Sequence, residues 1–134
     1  MELLEKSKQL EENIKLLKEI KSTLTLEELE SNKRYEGEVR YGLLESIQLL
    51  IDIACKISSR YNLGNPHTYK ECIELLHKFN FISQKLAKHL VAMVGLRNLL
   101  VHEYATIDIK RLYEFLNNLD DFTSFLKEIQ KNLS

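Results

Sequence analysis

Between Glu2 and about Glu30 the apolar residues Leu3, Leu10, Ile14, Leu17, Ile20 and Leu24 recur at helical spacing, with Lys and Glu filling the positions between them. The pattern predicts a long amphipathic helix, loosened near Ser22 to Thr25. Ser31 and Asn32 then offer a cap and a break. Tyr35, Val39, Leu43, Ile47, Leu50, Ala54 and Ile57 step by three or four residues, which places them on one buried stripe of a second helix running to about Arg60. Residues 62–67, Asn-Leu-Gly-Asn-Pro-His, stop that helix, because Gly and Asn tolerate left-handed backbone and proline cannot continue it. Thr68 caps a short helix to about His77, with Tyr69, Cys72, Leu75 and Leu76 apolar and Asn80 marking its end. A fourth helix begins near Ser83 and carries Leu86, Leu90, Met93, Val94 and Leu96. Gly95 is its interior weak point, where a bend or a close helix approach would be tolerated. The last helix starts near Asp108, with the stripe Leu112, Phe115, Leu116, Leu119, Phe122, Leu126 and Ile129.

Five such helices with short connections predict an all-α fold, an antiparallel bundle. No repeat, low-complexity tract or linker divides the 134 residues, so residues 1–134 are expected to form a single helical domain. Composition agrees: 44% apolar and 29% charged residues are those of a folded globular chain, and one proline with four glycines suits helices. The first helix is long and its stripe is closely flanked by charge, which raises the expectation of a twofold dimer.

With 19 basic and 20 acidic residues the chain has a net charge of −1, so no strong overall field draws it to nucleic acid. That weighs against a dedicated RNA-binding module and leaves open a local positive cleft. No segment approaches the ~20 apolar residues of a membrane helix, and residues 1–8 lack the pattern of a secretory signal, so a cytoplasmic protein without membrane contact is expected. In that reducing compartment Cys55 and Cys72 are expected to be small buried apolar residues rather than a disulfide. His67, His77, His89 and His102 show no metal-ligand spacing, and the first three read as surface residues. Neither a metal nor another cofactor is called for.

The candidate chemistry lies in residues 96–104, Leu-Arg-Asn-Leu-Leu-Val-His-Glu-Tyr. Arg97, His102 and Tyr104 in this spacing resemble the Arg-x4-His-x-Tyr motif of the HepT-like branch of the HEPN superfamily. The polar Asn98 and the Ile107-Asp108 pair that opens the last helix fit the same pattern. The resemblance covers roughly residues 33–131, including the segment from Leu50 to Ala54, and the first 30 residues match less distinctively. It implies a metal-independent endoribonuclease toxin, a homodimer with a composite cleft and RNA as substrate. It also implies a nucleotidyltransferase antitoxin that silences the toxin by adding AMP to Tyr104.

The residues themselves point the same way. RNA carries its own nucleophile, the 2′-hydroxyl, so a ribonuclease needs a proton acceptor, a proton donor and charge stabilisation. An imidazole such as His102 suits proton transfer near neutral pH. Arg97 offers paired donors to phosphate oxygens. If the segment is helical, Asn98 lies one turn from His102 and can orient its imidazole, while Arg97 and Tyr104 share the neighbouring stripe. Asp52 and Glu45, on one face of the second helix, are candidates to line the cleft, against the plainer reading of a solvated face. The plainer reading of Arg97 is an ion pair with Glu103 or another carboxylate. The rival function is a non-catalytic helical partner protein that binds a nucleotidyltransferase and a nucleotide through the same polar cluster.

Overall fold

The computed structural model of the chain describes residues 2–102 and 107–133. Among these residues there are seven α-helices, one 3-10 turn and no strand: α1 (Glu2–Thr23), α2 (Leu26–Ser31), α3 (Lys33–Arg60), α4 (Tyr69–Lys78), α5 (Gln84–Val101), α6 (Ile109–Phe115) and α7 (Asp120–Asn132). The expected all-helical bundle is present, with two of the five expected helices divided.

The first division has a local cause. Thr25 and Glu28 form a reciprocal capping box, in which the Thr25 hydroxyl accepts from the Glu28 N–H and the Glu28 carboxylate accepts from the Thr25 N–H, each at 3.1 Å. A new helix therefore starts after a break of two residues, Leu24 and Thr25. Leu24 at the break is still buried, and its carbonyl accepts from the Tyr113 hydroxyl at 3.3 Å. The second division is the 3-10 turn Leu116–Asn118 between α6 and α7. Beyond that turn Phe122, Phe125 and Ile129 are the buried side chains of α7, so Phe125 joins the core where the sequence stripe had Leu126.

The caps expected at Asn32 and Thr68 are in place, and the helices expected to start near Ser83 and Asp108 are capped by those residues. Asn32, Thr68, Ser83 and Asp108 each accept from a backbone N–H in the first turn of α3, α4, α5 and α6. In the turn after α3 the left-handed residue is Asn62, at φ 54°, and no glycine has positive φ.

α3 is the central element. It packs against α1, α2, α4, α5 and α6, and it buries Leu49, Ile51 and Ile53 in addition to the stripe from Val39 to Ile57. Of the glycines, Gly42 is the most tightly packed: a Cβ there would stand 2.8 Å from Leu17 Cδ2 of α1. Gly95, by contrast, faces open space, so the close helix approach that a glycine would tolerate there is not used.

The cysteines correct the sequence reading. Cys55 of α3 and Cys72 of α4 form a disulfide, with Cα atoms 5.0 Å apart. The expectation of free, buried thiols rested on compartment. The geometry follows from two helices that turn back on each other through residues 61–68 and bring positions 17 apart in sequence face to face.

Candidate functional site

α5 is anchored by Leu90, Met93 and Leu96, all essentially buried, so the residues after Leu96 are carried to the surface at a fixed angle. Arg97 is half-buried, and Asn98 and His102 are exposed. The helix ends at Val101. His102 is its C-cap with extended backbone (φ −81°, ψ 113°), and its N–H donates to the Asn98 carbonyl at 3.3 Å. The imidazole thus leaves from the end of the helix. Tyr104 and Glu103 lie outside the described residues.

Arg97 is held from three sides. Its Nε donates to Gln48 Oε1 of α3 at 3.1 Å, its Nη1 donates to Asn98 Oδ1 at 3.1 Å, and its Cζ sits 5.0 Å from the centroid of the Tyr69 ring at the start of α4. The last contact places a cation against an aromatic ring within the ~6 Å at which the attraction is significant. Behind Gln48 stands Asp52. Gln48 Nε2 donates to one of its oxygens at 2.9 Å, and Lys6 of α1 pairs with the other at 3.4 Å. The carboxylate therefore reaches the guanidinium only through a neutral amide, and Lys6 already balances its charge. Among the described residues no carboxylate pairs directly with Arg97. Its five N–H groups have two partners there, which leaves a positioned cation with donors to spare.

Two expectations change. Asn98 uses its side chain on Arg97, so the residue expected to orient the imidazole orients the guanidinium. Asp52 belongs to the Arg97 network, whereas Glu45 faces α1, accepting from Asn13 at 2.8 Å and Gln9 at 3.4 Å. Hydrogen bonds from Tyr41 first and Asn13 second hold the Glu45 carboxyl below the usual glutamate range. Sequence reasoning missed Gln48 and Tyr69. Gln48 sits one turn before Asp52, a spacing that signals a paired face, but Tyr69 was absorbed into an apolar pattern although it is 39% exposed.

Beside Asn98 a groove of about 650 Å³ opens between the start of α4 and α5, lined in part by His67, Thr68, Tyr69 and Lys70. No group of three or more His, Cys, Asp or Glu side chains among the described residues is arranged as a metal site. None of the helices described is long and apolar enough to cross a membrane.

The bundle has the fold of a HEPN toxin. It superposes on the solved structure of the tri-AMPylated Shewanella oneidensis HEPN toxin in complex with MNT antitoxin with a TM-score of 0.89, at 26% identity and over 97% of each chain. Residues 10–129 match the family described as Ribonuclease HepT-like, and this chain belongs to that family. Among its relatives, the mRNA nuclease HepT of Shewanella oneidensis is 32% identical over 96 residues, 71% of this chain and 72% of that protein. The tRNA nuclease HepT of Aphanizomenon flos-aquae is 32% identical over 87 residues, 64% of this chain and 59% of that one.

Proposed function

We propose that this chain is the endoribonuclease toxin of a toxin–antitoxin pair and that it cleaves RNA without a metal, as a homodimer, through Arg97 and His102. The observation that carries the reading is the state of Arg97: a cation fixed by Gln48, Asn98 and Tyr69, unpaired with any described carboxylate, five residues before an exposed histidine. Family membership and the nuclease names of both relatives support the same substrate class.

In the reaction an imidazole takes the 2′-hydroxyl proton as the 2′ oxygen bonds to phosphorus. The bond from phosphorus to the 5′ oxygen breaks, and a second donor protonates the leaving oxygen. Arg97 meets the negative charge that shifts onto the non-bridging oxygens. The products are a 2′,3′-cyclic phosphate and a 5′-hydroxyl. One imidazole does not serve as both acceptor and donor in a single turnover, so a second copy of the motif, supplied by a twofold partner, completes the site.

The partner that silences it is a nucleotidyltransferase antitoxin, a class supported by the MNT antitoxin bound to the AMPylated HEPN toxin. The Tyr104 phenol oxygen gives up its proton to the antitoxin or to water and bonds to the α-phosphorus of ATP, and pyrophosphate leaves. The adenylate then places negative charge and bulk beside the Arg97 and His102 segment, against an incoming RNA phosphate. Mass spectrometry after incubation with the antitoxin and ATP should find the adduct on the wild type and lose it in Tyr104→Phe.

The nuclease reading is tested by incubating the purified chain with RNA in excess chelator and analysing the ends. Cyclic-phosphate ends are expected. Cleavage that requires Mg²⁺ contradicts the mechanism, and the absence of any cleavage leaves the chain a non-catalytic partner of the nucleotidyltransferase.

A further inference from the structure

The carboxylates of α4 lie on one side. Glu71 and Glu74 line a hollow with Asn65, Pro66 and Lys78. On the side toward α5, the 650 Å³ groove is lined by His67, Thr68, Tyr69, Lys70 and Asn98 and by no carboxylate. In a chain whose acids outnumber its bases, a groove lined by a lysine, an aromatic ring and no acid favours an anion. Its floor includes Val94 and the Cys55–Cys72 disulfide, apolar surface of the kind a flat ring system covers. The volume lies within the ~300–1,000 Å³ range of small-ligand sites. The groove is continuous with the Arg97 cluster, because Asn98 lines the one and hydrogen-bonds the other, and the Tyr69 ring lines the one and carries the guanidinium of the other.

We propose that this groove is the subsite for the nucleotide next to the scissile phosphate of a single-stranded RNA, with the Tyr69 ring as the platform on which its base stacks and Lys70 as the cation for its outer phosphate. The proposal rests on the nuclease reading above and gives it a substrate form. A duplex buries its base faces, whereas an unpaired nucleotide presents a face to stack and a phosphate beside it. Tyr69 and Lys70 are consecutive, exposed and on the groove wall, which matches the alternation of base and phosphate along one strand.

The test is equilibrium binding of the full chain to a short single-stranded RNA, 2′-O-methylated throughout so that it is not cut, alongside steady-state cleavage of the unmodified RNA. Tyr69→Ala is expected to weaken binding on the order of 5- to 100-fold, the range for loss of one base stack, and Tyr69→Phe to restore it. Because Tyr69 also touches Arg97, Lys70→Ala is the independent variant. It should raise KM more than it lowers kcat, and it should reduce the slope of log K against log salt by about 0.7. A wild type that binds and cleaves RNA while Tyr69→Ala and Lys70→Ala do so equally well overturns the subsite and leaves the nuclease reading standing. The same two variants losing affinity only for the nucleotidyltransferase also overturns it, in favour of a protein-docking face. A wild type that neither binds nor cleaves RNA overturns both.

Discussion

Replacing Gln48 with methionine removes the bridge between Asp52 and Arg97 while keeping the length of the side chain. In the wild type Gln48 accepts from Arg97 Nε at 3.1 Å and donates to Asp52 at 2.9 Å. Both hydrogen bonds are part-buried, and each contributes roughly 0.5–1.5 kcal/mol to stability. The added apolar contact of methionine offsets part of this, so a net loss of about 1–2 kcal/mol is expected, near 3–8 °C in Tm for a chain of this size. The functional effect is larger in proportion. The guanidinium loses one of three fixings, and a displacement of ~1 Å at a reacting centre costs on the order of 100-fold. Gln48→Met should therefore slow single-turnover RNA cleavage by about 10- to 100-fold, less than deletion of the cation itself. The assay is a double-mutant cycle with Arg97→Ala. If Gln48 acts by positioning Arg97, it changes little more once Arg97 is gone. A Gln48→Met effect of equal size in both backgrounds refutes the route through the guanidinium.

Two glycines, both helical, should respond in opposite directions to alanine. Gly95→Ala meets nothing within 4 Å and should raise stability by about 0.5–1 kcal/mol, while Gly42→Ala drives a Cβ to 2.8 Å from the buried Leu17 and should lower it by roughly 1 kcal/mol or more; equal shifts in thermal melts would contradict this. Reducing the Cys55–Cys72 bond, which closes a loop spanning 17 positions, should lower stability by about 3 kcal/mol on the chain-entropy account; an unchanged Tm in reductant would show that the bond does not constrain the unfolded chain. Because Tyr41 and Asn13 hold the Glu45 carboxyl low, its contribution is present above the unfolded-state value, ~4.3, and fades as pH falls through the depressed folded value. The melting difference between wild type and Glu45→Gln should accordingly shrink on acidification, and a difference that grows below about pH 4 reverses the sign of the argument.

The fold was legible where a local pattern decides the structure. The α3 stripe from Val39 to Ile57 is buried as its spacing requires, and Asn32, Thr68, Ser83 and Asp108 cap the helices they precede. What escaped depends on which elements meet. Gln48 reads as an ordinary helical amide until α5 lays Arg97 across it, and Tyr69 reads as apolar until the same arginine stacks on its ring. The disulfide is likewise a consequence of α3 and α4 lying side by side, a relation invisible in two isolated cysteines. Within the motif itself, spacing singled out Arg97 as a cation for phosphate and Asn98 as the partner of His102, whereas the Asn98 side chain accepts a hydrogen bond from Arg97. Helical geometry was extended past Val101, where the chain turns out of the helix and Asn98 is left beside the guanidinium.

Single-turnover cleavage of one end-labelled RNA by wild type, Arg97→Ala and His102→Ala, each shown to be folded by its melting profile, bears on the site most directly. Each substitution is predicted to slow cleavage by roughly 10²-fold or more, the scale of losing a charge-stabilising donor or a general acid–base group. A folded Arg97→Ala or His102→Ala chain that cuts at the wild-type rate would place the chemistry elsewhere in the molecule.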